Sequence, residues 1–89
     1  MEQEEGVCIT LDRAEALILF EILSREMDRP QYGKFQAFAG SDVQIWAFDG
    51  LLAALERVLP EPFSHDYDRL LPEAARALIR RRGRLPGSN

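Results

Sequence analysis

The sequence predicts a mainly α protein: a compact three-helix domain with a short extended or β N-terminal segment. Three observations carry this. Leu, Ala, Glu and Arg dominate the 89 residues, which favours helix over strand. Apolar residues recur every three or four positions in three separate stretches. Capping residues open those stretches, and Pro or Gly follows each one.

The first element is "GVCIT", residues 6–10, short and β-branched. A lone strand needs a partner, and the only candidate is "YGKFQAF", residues 32–38, which loosely alternates. Unpaired, residues 6–10 are an extended arm on the helices. The first helix is expected over residues 11–28, with Asp12 and Glu15 at capping-box spacing and Thr10 as a rival cap. Ala16, Leu19, Phe20, Leu23 and Met27 form its apolar stripe, while Ile18 and Ile22 lie on another side. A helix apolar on two sides is central, touching more than one neighbour. Pro30 stops it. The stretch "RPQYGKFQAFAG", residues 29–40, is irregular, and its three aromatics are expected to fold back onto the body.

The second helix opens at Ser41 and Gln44, again a capping box, and ends before Pro60. Its core stripe is Ile45, Phe48, Leu52, Leu55 and Leu59, widened by Leu51 and Val58. After the connector "EPF", Ser64 offers a cap for a third helix, with Asp66 in its first turn. Tyr67, Leu70, Leu71, Ala74 and Leu78 form one narrow stripe there. The stripe runs unbroken across Pro72, which favours one kinked helix over two separate ones. Residues 1–6 are then a flexible acidic N-terminus, 7–82 a single helical domain and 83–89 a disordered tail.

Trp46, the only tryptophan, falls on the side of the second helix away from its core stripe. Its neighbours on the wheel are Asp42, Asp49, Gly50, Ala53 and Arg57. Gly50 in mid-helix costs about 1 kcal/mol relative to Ala, which suggests close approach by another element. Trp46 then packs under the loop 32–38 or the arm, forms the centre of a protein interface, or stands half-exposed. The interface reading enlists Trp46, Asp42, Asp49, Gly50 and Ala53, with Ile18 and Ile22 on the first helix.

The chemistry expected is sparse. One cysteine, Cys8, excludes an internal disulfide and a Cys-rich zinc site. His65, the only histidine, reads as a surface residue at a helix start. Asp42, Asp49 and Glu56 repeat every seven residues and read as a solvated face. No phosphate loop, catalytic triad or EF-hand pattern is present, so no enzyme, cofactor or metal is expected. No apolar run approaches the roughly 20 residues of a membrane span, and "MEQEEGV" is acidic where a signal peptide is basic. A cytoplasmic setting without membrane contact is the expectation.

Net charge is −4, but residues 1–66 carry five Lys/Arg against thirteen Asp/Glu, whereas residues 67–89 carry six Arg against two acids. The favoured explanation is a basic last helix packed beside acidic ones. The rival is contact of Arg76, Arg80, Arg81 and Arg82 with an anionic partner, although an acidic body would repel a nucleic acid.

"LDRAEALILFEILSRE", a Trp-bearing second helix and then "LPEPFSHDYDRLLPEAARALI" together resemble small uncharacterised bacterial helical proteins of similar length. The resemblance covers most of residues 7–80, with Pro72 and the loop 32–38 as departures. It implies a helical fold and no functional residues. The function expected is a non-enzymatic protein-binding domain, of the neutralising immunity or antitoxin kind. A homodimeric structural or regulatory subunit is the close alternative, and a nucleic-acid accessory protein trails.

Overall fold

The computed structural model describes residues 6–87. The flexible N-terminus and disordered tail expected from the sequence lie partly outside this range, at residues 1–5 and 88–89. The protein is mainly helical: α1 (Arg13–Met27), α2 (Lys34–Phe38), α3 (Asp42–Val58) and α4 (Tyr67–Arg82), with 3-10 turns at Pro30–Tyr32 and Glu61–Phe63. Among the described residues there is no strand, and residues 6–10 are an exposed arm without regular structure. The alternation at 32–38 does not become a strand. Gly33 breaks it, and two short helical turns take its place.

Asp12 caps α1 as its spacing predicts. Its Oδ1 accepts from the Glu15 N–H at 2.8 Å, and Glu15 Oε1 accepts from the Asp12 N–H at 3.1 Å. The expected box at Ser41 does not close. The Ser41 side chain makes no cap bond, and the Gln44 side chain instead accepts from the Gly40 N–H. Ser64 is also displaced from its predicted role. It lies outside α4, where its Oγ accepts from the N–H of Asp66, and Asp66 is the residue at the cap position. Pro72 sits inside a continuous α4.

α1 is the centre of the fold. It packs against both α3 and α4, whereas those two barely touch each other. The core is built from Ala16, Leu17, Phe20 and Leu23 of α1, Phe35 of α2, Leu52, Leu55 and Leu59 around α3, and Ala74 of α4. Ile45 is buried as well. Leu51 packs against this cluster, but Val58, read as widening the stripe, is 69% exposed.

Polar contacts fasten the outer helices to α1. Arg81 Nη1 lies 2.6 Å from Asp12 Oδ2 and its Nη2 is 3.8 Å from Glu15 Oε2, tying the end of α4 to the start of α1. The bond from the Glu15 N–H, then the Arg81 guanidinium, holds the Asp12 carboxyl below the usual carboxylate range. At the other end, the Tyr67 hydroxyl donates to Glu21 Oε1 at 3.2 Å, and its ring meets Phe20 edge-on.

Burial, then the Glu21 charge, pushes the Tyr67 phenol up to about 12 from 10.0. A raised folded value means this contribution is whole below pH 10 and fades as pH rises toward 12. In a Tyr32→Phe background Tyr67 is the sole phenol. Its near-ultraviolet phenolate absorbance should therefore appear near pH 12 rather than 10, and Glu21→Gln should move the midpoint downward.

Candidate functional site: the open side of α3

α3 presents its core stripe to α1, and the opposite side is largely exposed, with Ala53 and Ala54 half-buried. Successive residues turn about 100°. Opposite the core stripe stand Arg57, Gly50, Val43 and Ala54, flanked by Trp46 and Ala53 on one edge and Ala47 and Val58 on the other. Arg57 is the only charge in this arc. Val43 is 71% exposed, Trp46 53% and Val58 69%. A surface of this width along a whole helix with a single charge is uncommon on a folded monomer.

Two shallow depressions extend it. One, of about 410 Å³, is lined by Phe38, Gln44, Ala47, Phe48 and Leu51. The other, of about 660 Å³, lies between the arm, the start of α1 and the second half of α3, with Leu51, Ala54 and Val58 on its wall. Leu51 belongs to both. Phe38, at the rim, is 63% exposed.

The segment before α3 sets the Trp46 edge. Gln31 and Tyr32 both have positive φ, 55° and 62°, and Gly33 follows at φ 56°, ψ −133°. This turn brings Tyr32 edge-on to Trp46, with ring centroids 5.8 Å apart. Phe35 stacks on Phe48 at 4.5 Å and 11°, and Phe38 meets both rings edge-on. The expected fold-back of the aromatics is thus realised for Tyr32 and Phe35. It is incomplete for Phe38, and Trp46 gains one aromatic neighbour while staying half in water.

A buried carboxylate holds the turn. Glu26 is 5% exposed; its Oε1 accepts from the Lys34 N–H at 2.9 Å, and its Oε2 lies 3.4 Å from Arg25 Nε and 3.8 Å from Arg29 Nε. The Lys34 amide is the main reason its carboxyl sits below the usual range, with Arg29 and Arg25 adding to it against the cost of burial. Sequence reading missed Glu26, because a glutamate on a helix is ordinarily solvated.

The residues expected at an interface are distributed as follows. Trp46, Asp42, Asp49 and Gly50 are exposed on α3, and Ala53 is half-buried. Asp42, Asp49 and Glu56 form a row beside the apolar surface and make no ion pair among the described residues. Ile18 packs against the core and Ile22 is exposed on α1, so neither belongs to the α3 surface. Of the arginines, Arg81 is engaged by Asp12 and Glu15, whereas Arg76, Arg80 and Arg82 are exposed. His65 is exposed, with Nε2 3.7 Å from Asp66 Oδ1.

Gly50 is not explained by packing inside the chain. A Cβ built there meets nothing within 4 Å. In dilute solution Gly50→Ala should therefore raise stability by about 1 kcal/mol. That corresponds to a thermal midpoint roughly 4–8 °C higher, read by circular dichroism.

No helix among the described residues is long and apolar enough to cross a membrane. Compared with known proteins, the chain matches no family model, no curated protein and no solved structure.

Proposed function

We propose that this is a non-enzymatic protein-binding domain, and that the open side of α3 is its binding surface. The observation that carries the reading is the exposure of Val43, Trp46, Val58 and Phe38 on and beside one side of α3. Apolar surface of this kind gains stability when removed from water, at about 25 cal/mol per Å². Trp46 suits an anchor, being a large ring already oriented by Tyr32, with small residues beside it.

A neutralising role toward a basic protein, of the immunity or antitoxin kind, is the finer reading. The row Asp42, Asp49 and Glu56 supports it, because unpaired acids beside an apolar surface steer a basic partner toward it.

The test uses the full chain as bait in the cells that produce it, beside a Val43→Glu/Ala47→Glu variant. Both positions are exposed, so the variant should keep its helical signal and melting curve. The expected result is a polypeptide, foreign or a second copy, held at fixed stoichiometry by the original chain and lost from the variant. Recovery of nothing, or of the same polypeptide by both baits, overturns the proposal.

A further inference from the structure

The chain's own α3 is a complementary occupant for this surface. We infer that α3 pairs antiparallel with α3 of a second copy, about a two-fold axis through Gly50, with Arg57 of each chain meeting Asp42 of the other. This rests on the reading of α3 as a binding surface and names its partner.

The argument is one of spacing and sign. Arg57 lies seven residues after Gly50, and Asp42 lies eight before it. They carry opposite charge, both are exposed, and neither has an ionic partner among the described residues. In an antiparallel pair centred on Gly50, a residue k positions after the centre stands level with one k positions before it in the partner. Arg57 is then level with Val43 of the second copy and one residue, about 1.5 Å, from Asp42. The two-fold axis repeats the match at the other end.

The edges of the surface agree with this direction and oppose the alternative. An antiparallel two-fold brings like edges together. The edge with Arg57, Trp46, Ala53 and Asp42 meets its own copy, and so does the apolar edge with Ala47, Leu51 and Val58. Trp46 comes level with Ala54 of the partner, beside Ala53 and Arg57, where small side chains leave room for the ring and a guanidinium can lie on its face. A parallel two-fold would set each edge against the other. Arg57 and Asp42 would then face Val58 and Ala47, and no charge would be matched.

Gly50 supplies the reason for close approach. It stands at the axis, the mid-helix cost of glycine is not repaid inside the chain, and nothing lies within 4 Å of the position of a Cβ. Two glycines facing each other let the helix backbones come near, so that Ala54 and Ala47 make contact. Asp49 and Glu56 remain outside the pair, at its margins.

The experiment follows the mass of the full chain by sedimentation across low to high micromolar concentration. The original chain should pass from monomer to dimer, with Trp46 emission moving to shorter wavelength in step. Arg57→Asp and Asp42→Arg each place two like-charge contacts in the dimer and should weaken it by about tenfold or more. An equimolar mixture of these two variants should form a heterodimer as readily as the original chain, because every contact is then Asp against Arg. Gly50→Leu should abolish the dimer and keep the monomer's helical signal.

A chain that stays monomeric throughout, or a mixture that associates no better than its components, overturns the antiparallel pairing. If the chain is monomeric yet a foreign polypeptide is still lost on Val43→Glu/Ala47→Glu, the binding surface stands and only the self-pairing falls. If neither association is found, both fall.

Discussion

Leu23→Ala should cost about 2–5 kcal/mol, the range for truncating a leucine in a packed core. Leu23 is 2% exposed and sits on α1, the helix that both other long helices depend on. A domain of this length has a total stability of roughly 4–13 kcal/mol, so the variant loses a large fraction of it. The thermal midpoint should fall by at least roughly 8 °C. Urea unfolding followed by circular dichroism gives the free energy directly. Val58→Ala is the matched control. Val58 is a helical aliphatic at the C-terminal end of α3, but its exposure predicts a change within about 0.5 kcal/mol. Equal losses for the two would mean that Val58 is covered in solution, and concentration dependence of the Val58 effect would point to a second chain.

The long helices were legible because each buries a periodic stripe, and periodicity is a local property. Leu17 shows where that reading stops. It lies off the stripe through Ala16, Phe20 and Leu23, yet it is just as buried, because α1 is gripped from two sides and its buried arc is wider than one stripe. The extra isoleucines predict a central helix, but the fold buries Leu17 and leaves Ile22 exposed. Glu26 and the turn at 31–33 were not legible for a related reason. A carboxylate becomes a core residue only when a segment several positions away folds over it, and the backbone amide of Lys34 that satisfies it has no signature in sequence.

The surface of α3 was half legible. Its wheel shows a wide arc without charge apart from Arg57, and the small residues beside Trp46 stand out. Whether such an arc is covered depends on how three helices are arranged, and periodicity cannot say that. The two outer helices lie on α1 and barely touch each other, so α3 keeps one side on the core and leaves the other largely exposed. The glycine at its centre changes meaning accordingly. Within the chain it is a cost that no contact repays.

Gly33→Ala should have the opposite sign to Gly50→Ala. At φ 56° and ψ −133° the backbone of Gly33 occupies a region that side-chain-bearing L-residues avoid, at a cost of about 1–3 kcal/mol. A Cβ there would also collide with Glu26 Oε1 and come within 3.1 Å of Arg29 Cδ. The carboxylate cannot simply swing away, because it is bound to the Lys34 N–H and lies against Arg25. Moving it would release the first amide of α2 and lose a further contribution of about 1 kcal/mol. Together these predict a loss of about 2–4 kcal/mol in urea unfolding. The turn would shift Tyr32 away from Trp46, so the emission of Trp46 should change in the folded variant as well. A double-mutant cycle separates the two causes. In a Glu26→Ala background the collision with Oε1 is absent while the backbone term and the close approach to Arg29 remain, so Gly33→Ala should cost distinctly less there. Equal costs in both backgrounds would show that the carboxylate does not hold the turn, and the Tyr32–Trp46 contact would then need another anchor.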